Sequence, residues 1–538
     1  MRRVIVDHVL EGSTPSFPSN CYLGRGSAWG AYLSCKEDGR SVQCRYGPPN
    51  FGFVAQLVEH HAEDVSAAVS KSAEATKLSA RSLAWLEALA LGARWREFKS
   101  LRADHKLSTC GVNWISRRAT NAGWGQRPLC RFESCQVLHQ ERGTGMQLID
   151  GTIPVFGEAD EKTLKQIRTC AKTADKVALM PDNHLGYGVL IGGIVAYRNA
   201  ISPTGVGYDI GCGNKAVRLD MTGADLRPII SRIMDEVSNT ISFGIGRKNA
   251  ERVDSAVLDT SQDGWNLEAT RPLYQKAGAQ LGTVGSGNHY VDIFTDDDDR
   301  VWVGVHFGSR GFGHGVATWF LKAAGAKDGM DVEPCVLDAN SDLGAQYLLA
   351  MSLAGAYAYA GRDWVCDRVA KILGAEVVEA VHNHHNFAWR EKHGDEMLWV
   401  VRKGATPAFP GEKGFVGGSM GEQSVILEGV ENENAKYSLY STVHGAGRAM
   451  GRNEARGVFD RKTGECKRAG KVTQEMMRSW IDRSGIELRG GGLDESPDCY
   501  KRLDEVLASV SDSVRILHRL KPVGVAMASA KEFDPYKD

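Results

Sequence analysis

The pattern of apolar and polar positions changes at Met146. Before it, one stretch is periodic: residues 64–106, rich in Ala, Leu, Glu, Lys and Arg, predict a helix. Residues 11–54 and 107–145 follow neither the strand nor the helix period. After Met146, MQLIDGTIPVFGE predicts a short strand and turn, and Asp160 to Lys172 a helix starting near Ala159-Asp160. KVALMPDNHLGYGVLIGGIVAY and GVGYDIGCGNKAVRLDM predict short strands parted by glycine-rich turns. Helices are expected over 224–240 and 339–373, and strands at EVVEAVHNHH, EMLWVVRKGA and SVILEG. A last helix is expected from about Tyr500 to Leu520, followed by KPVGVAMAS as a strand. No fixed period recurs, which excludes solenoids and propellers. The expected class is α+β, a single large domain of many short strands with flanking helices.

Composition sharpens the division. The 538 residues carry 65 Lys+Arg and 66 Asp+Glu. Of these, 19 and 13 lie before residue 146, a net of +6, and 46 and 53 after it, a net of -7. Residues 1–145 are therefore expected to be a poorly patterned extension and 146–538 the working domain. Three fragments of the first part, GSTP (12–15), VAQLVEH (54–60) and FESC (132–135), resemble translated arms of transfer-RNA genes. They suggest an overextended gene model starting naturally at Met146; the rival is an accessory helical extension. The 12 cysteines are scattered without a CxxC pair, no signal-peptide core is evident, and no apolar run is long enough for a membrane helix. Reduced thiols in a cytoplasmic protein are expected.

The chemistry concentrates in glycine-flanked turns at strand ends: PDNH (181–184), DIGCG (209–213), GSGNHYVD (285–292), HFGSRGFGH (306–314), HNHHN (382–386) and HGAGR (444–448). Ten of the 15 histidines follow Met146, and eight of those ten lie in these turns. A thiol, a carboxylate and several imidazoles suit Mn, Zn or Fe rather than an all-oxygen Mg or Ca cage. On a strand His382 and His384 share a face and His385 takes the other, so the cluster offers one ligand with its neighbours orienting it. Arg310 and Arg448 each follow a key histidine by four residues and suit phosphate oxygens.

Taken in order, PDNHLGYG, GVGYDIGCG, GTVGSGNHYVDI, HFGSRGFGH, HHNF, RKGAT, GSMGEQS and HGAGR resemble the RNA-splicing ligase RtcB family over about residues 146–528. The resemblance implies a central metal-binding cleft and a GTP- and Mn-dependent ligase. Such an enzyme joins 2′,3′-cyclic phosphate or 3′-phosphate RNA ends to 5′-hydroxyl ends, in tRNA splicing or RNA repair. It implies His444 as the guanylylated nucleophile and two Mn2+ ions, one on Cys212, His289 and His306, the other on Asp209, Cys212 and His385. Asn288, Asp292, Asn386, Ser419, Ser424, Tyr500 and Arg448 match nucleotide contacts, and Arg310 and Lys403 phosphate or RNA contacts. Asp182 and His184 match a supporting motif near the metals. The sequence departs from the family at Asp292, usually Glu, at Gly417-Gly418-Ser419-Met420, usually Pro-Gly-Ser-Met, and at Met527, where a guanine-contacting lysine is usual.

RNA, as tRNA halves or broken ends, is the expected partner, with an archease-like activator and no membrane. Two alternatives stand beside the ligase: a metal-dependent phosphohydrolase on the same scaffold, and a non-enzymatic RNA-binding or metal-storage protein. A nucleophilic histidine separates the ligase from the first, and a complete ligand set from the second. A net of -7 on the body argues against general RNA coating, leaving a local basic track from Arg310, Arg390, Lys392, Arg402 and Lys403.

Overall fold

The computed structural model describes residues 21–25, 31–37, 40–45 and 145–532, apart from 328, 331, 460–462, 464 and 531. Two compact units divide the chain, Met1–Glu133 and Ser134–Asp538. In the first, Cys21–Arg25, Ala31–Glu37 and Arg40–Arg45 form a three-stranded antiparallel sheet, in a segment where the sequence shows no strand period. The helix expected over 64–106 lies outside the described residues.

The second unit is built on two sheets. The strands of these two sheets, in chain order, are β1 (Met146–Ile149), β2 (Ile153–Phe156), β3 (Lys176–His184), β4 (Ile191–Tyr197), β5 (Gly213–Thr222), β6 (Tyr290–Asp296) and β7 (Arg300–Phe307). They continue with β8 (Val377–His384), β9 (Asn386–His393), β10 (Glu396–Lys403), β11 (Lys413–Val416), β12 (Ser424–Gly429), β13 (Glu487–Gly491) and β14 (Val514–Ser529). One sheet has the order β9-β10-β4-β3-β2-β1. The other runs β8-β5-β7-β6-β14-β12-β11, with β13 added in parallel to β14. This second sheet curls until its ends meet and is nearly a closed barrel. Asn383 of β8 accepts from the Phe415 amide of β11 at 3.0 Å, and Asn214 of β5 donates to the Phe415 carbonyl at 2.9 Å.

Period-2 alternation decides what each strand contributes. On β7, Val301, Val303 and Val305 face outward to a buried cluster with Ile233, Met234, Val365 and Val369. Trp302, Gly304 and His306 take the other face. Trp302 packs inside with Phe294, Val381, Phe415, Ile426 and Leu520. Gly304 is required there, because a Cβ would come within 2.7 Å of Phe294 and 2.8 Å of Phe415. The same face then delivers the His306 imidazole to the barrel end. Phe415 is fully buried at this centre, so Phe415→Ala is expected to cost about 3–5 kcal/mol of stability. Denaturant unfolding measures it; a loss below about 1 kcal/mol would mean that the barrel interior collapses around the gap.

The helices cover these sheets. α1 (Glu161–Ala171) starts where Asp160 accepts from the Thr163 amide. α2 (Ile230–Thr240) is the second half of the helix expected over 224–240; Pro228 lies between it and a short turn at Gly223–Leu226. α3 (Arg310–Ala323) starts inside HFGSRGFGH (306–314), where the glycines predict only a turn. α4 (Asp342–Leu373) is capped by Ser341 at its start and by Gly374, with φ 68°, at its end. Its first half packs under the six-stranded sheet with α1 and α3, its second half on the barrel. The helix expected from Tyr500 to Leu520 is a correction: only Leu503–Ala508 is helical, and Val514 onward is β14. VRILHRL carries apolar residues at spacings both periods allow, and pairing with β12 and β6 decides for the strand. Among the described residues no helix is long and apolar enough to cross a membrane.

Candidate active site

The glycine-flanked turns meet where strand ends from both sheets converge. Cys212, in the turn before β5, points its Sγ at His306 Nε2 (3.4 Å) and at His289 Nε2 (3.7 Å). Ligand atoms of Cys212, His289 and His306 all lie within 4.8 Å of one another. Asp209 joins them through a 3.2 Å contact between its carboxylate and His289 Nε2. Arg310, at the start of α3, donates to the other face of that imidazole, Nδ1, at 3.5 Å. Its guanidinium also reaches Thr283 Oγ1 and the Gly244 carbonyl.

From this cluster the imidazoles continue in a row. Ring centroids are 5.4 Å apart for His289–His306, 5.0 Å for His306–His385 and 5.0 Å for His385–His444. His444 Nδ1–H donates to Asp182 Oδ2 at 2.6 Å, and the His444 amide donates to the same oxygen at 2.9 Å. Gly447, at φ 73°, leaves the Asp182 backbone room that a side chain would take. Asp182 is fully buried.

Burial sets the protonation of the group. It drives His306 and His385 well below the usual imidazole range, and neighbouring imidazoles push the same way. Both are therefore neutral and able to give a lone pair to a metal. Burial raises the Cys212 thiol, and Asp209 beside it adds to the effect. Burial would also raise Asp209, but the hydrogen bond from His289 and the charges of His289 and Arg310 outweigh it and hold the carboxyl at about 2. His385 Nδ1 is buried without a hydrogen-bond partner. A thiol, a carboxylate and two neutral imidazoles, one of them with an orphaned nitrogen, fit a borderline-soft divalent ion.

A family model described as tRNA-splicing ligase RtcB matches residues 163–528. The chain belongs to the RtcB family. It is 31% identical over 379 residues to the RNA-splicing ligase RtcB of Escherichia coli K12, covering 64% of this chain and 88% of that protein. It is 30% identical over 457 residues to the tRNA-splicing ligase RtcB of Thermococcus kodakarensis, covering 68% and 92%. Against RNA-splicing ligase RtcB homolog 1 of Entamoeba histolytica the identity is 30% over 433 residues, covering 65% and 80%.

The remaining expected site residues of this RtcB-family chain fall into three groups. Asn386, Asp292 and Asn288 lie close to the imidazole row in sequence or sheet. Asn386 accepts from the Gly404 amide at 2.8 Å, Asp292 is buried on the inner face of β6 with Oδ1 unpartnered, and Asn288 is exposed. Burial lifts the Asp292 carboxyl well above its usual range. Ser419 sits in the loop before β12 and Ser424 opens that strand, with Ser419 donating to Glu422 and Ser424 accepting from the Gly418 amide. Tyr500 and Arg448 form a second cluster: the Arg448 guanidinium lies 4.9 Å from the Tyr500 ring and donates to its hydroxyl, and the hydroxyl donates to Glu495.

The basic residues of this RtcB-family chain do not make one exposed track. Arg402 is fully buried and paired with Glu391. Lys403 is buried too, donating to the carbonyls of Tyr187 (2.6 Å) and Thr204 (3.2 Å), and burial pushes its ammonium down to about 8. Met527 pairs in register with Tyr290 and packs with Met420, Met477 and Ile486. Sequence reasoning missed Arg362, which α4 inserts behind the site. In the sequence it is one arginine among ordinary helix residues.

Proposed function

We propose that residues 146–538 are the catalytic domain of a cytoplasmic RNA ligase, acting on tRNA halves or broken RNA ends and open to an archease-like activator. It joins a 2′,3′-cyclic phosphate or 3′-phosphate end to a 5′-hydroxyl end at the expense of GTP. The observation that carries this reading is the buried Asp182 carboxylate held against His444 Nδ1 beside the thiol–imidazole cluster. With Nδ1–H given to Asp182, the lone pair is on Nε2, the nitrogen free to attack.

In the proposed sequence, cyclic phosphate is first opened by water to a 3′-phosphate. His444 Nε2 attacks the α-phosphorus of GTP; the bond to the bridging oxygen breaks and pyrophosphate leaves. An oxygen of the RNA 3′-phosphate then attacks that phosphorus, the P–N bond breaks, and the imidazole is regenerated. Last, the 5′-hydroxyl attacks the activated 3′-phosphorus, loses its proton, and GMP departs. Cys212, His289 and His306, with Asp209 and His385, would hold two Mn2+ ions in the central cleft, and these supply positive charge against the phosphates. Asn288, Asp292, Asn386, Ser419, Ser424, Tyr500 and Arg448 would bind the nucleotide. Arg310 would meet phosphate while bracing His289, and Lys403 would act by fixing the turns of Tyr187 and Thr204.

The test is incubation with labelled GTP or ATP and Mn2+, followed by detection of a covalent nucleotide. An acid-labile adduct from GTP is expected, and no adduct from either nucleotide sinks the proposal. An adduct from ATP alone overturns the choice of GTP. Asp182→Asn keeps the shape but no longer anchors the Nδ1–H tautomer, so adduct formation is expected to slow by about 10³-fold or more. An unchanged rate would remove Asp182 from the mechanism.

A further inference from the structure

Arg362 is fully buried, yet no carboxylate among the described residues is hydrogen-bonded to it. Its Nε donates to His382 Nε2 at 2.8 Å, and one Nη lies 3.0 Å from His384 Nδ1, a nitrogen that also lies 2.9 Å from the Gly211 carbonyl. The other Nη donates to two carbonyls, Gly211 at 2.9 Å and Phe307. The neighbouring Asp363 is turned away, toward Lys215 and His382. A buried guanidinium without a counter-ion is costly, and as a mere packing element a leucine would serve α4 better.

The four groups it touches are what give the residue meaning. Gly211 precedes Cys212, Phe307 follows His306, and His384 precedes His385. One planar fork therefore grips three separate chain segments, each one residue from a proposed metal ligand. The helix is shaped to let it in. At Gly211, whose φ is 70°, an added Cβ would lie 3.1 Å from Gly355 Cα and 3.2 Å from Ala358 Cβ, and at Gly361 an added Cβ would lie 3.2 Å from Phe307. Small residues on α4 bring its backbone against the ligand turns, and Arg362 follows directly on the last of them.

We infer that Arg362 is the positioning residue of the metal centre: it sets the spacing of Cys212, His306 and His385 by holding the backbone or ring beside each. Lysine keeps the charge but can reach one acceptor at a time, so geometry and charge can be separated. The inference rests on the metal site proposed above.

The test loads wild type and Arg362→Lys with Mn2+ alone and with Co2+ alone, reading affinity by calorimetry and the Co2+–thiolate absorption band. Outer partners of ligands contribute about 10–100-fold to metal affinity. A weakening of that size is expected in Arg362→Lys, with a shifted or lost thiolate band and unchanged circular dichroism. Equal affinity and an unchanged band overturn the inference while leaving the site intact. Wild type that binds neither ion overturns the site and this inference together. If Arg362→Lys fails to fold, His382→Leu decides, since of the four groups that Arg362 touches it removes only the one at Nε, with Asp363 keeping Lys215: weaker Mn2+ binding supports the role and unchanged binding overturns it.

Discussion

His444→Ala is expected to abolish the covalent nucleotide outright and to lower RNA joining by about 10⁶-fold, the scale seen when a nucleophile is removed. No other described side chain takes its place. His385, whose ring centroid is 5.0 Å away, is buried, driven well below the usual range and held among the proposed ligands. His184 lies near the Asp182 backbone, and burial takes it down to about 3. The variant should fold, because the backbone at 444 keeps its amide bond to Asp182 and its carbonyl bond from Asn214 when the ring is removed. An adduct that persists in His444→Ala would assign the nucleophile elsewhere. An adduct lost together with the circular dichroism spectrum would move the role to structure.

Cys212→Ala carries the second large effect. Its sulfur faces both imidazoles of the cluster, and it belongs to both of the proposed ligand sets. Removing it is expected to reduce Mn2+ content by at least about tenfold and to stop ligation. The sign of the pH dependence follows from the buried thiol. Burial keeps it protonated well above its ordinary range, so taking up a cation must expel that proton. Affinity in wild type should therefore rise with pH, by about tenfold per unit for one proton released, and Cys212→Ala should flatten the slope. Metal analysis after dialysis at two pH values checks both points. Full metal content in the variant would refute the shared-ligand role.

The parts of this molecule that the sequence made legible are those fixed by local pattern. SVILEG is a strand with the expected bounds, Asp160 caps the helix it precedes, and His382 and His384 share a face because strands alternate. The site turns could be found because eight histidines crowd into them, more than a packed core needs. What stayed hidden depends on partners distant in the chain. VRILHRL is a strand because β12 and β6 are there to receive it. Asp182 and His444 are 262 positions apart, and the hydrogen bond between them is invisible to any local window. Arg362 was missed for the same reason: a guanidinium on a long helix reads as a solvated face until its acceptors are known. Arg402 and Lys403 were misread as surface charge because β10 is covered on both faces.

The position of β14 has a consequence for synthesis. It lies between β6 and β12 in the barrel, although both are made before it. Until residues 514–529 leave the ribosome, those two strands present unsatisfied backbone edges, the kind of surface that recruits another chain. Nascent chains paused before this segment, or truncated ahead of it, should therefore need chaperone protection and aggregate without it. The barrel, and with it the alignment of His289 and His306 at the ends of β6 and β7, would close late, as a single non-local insertion.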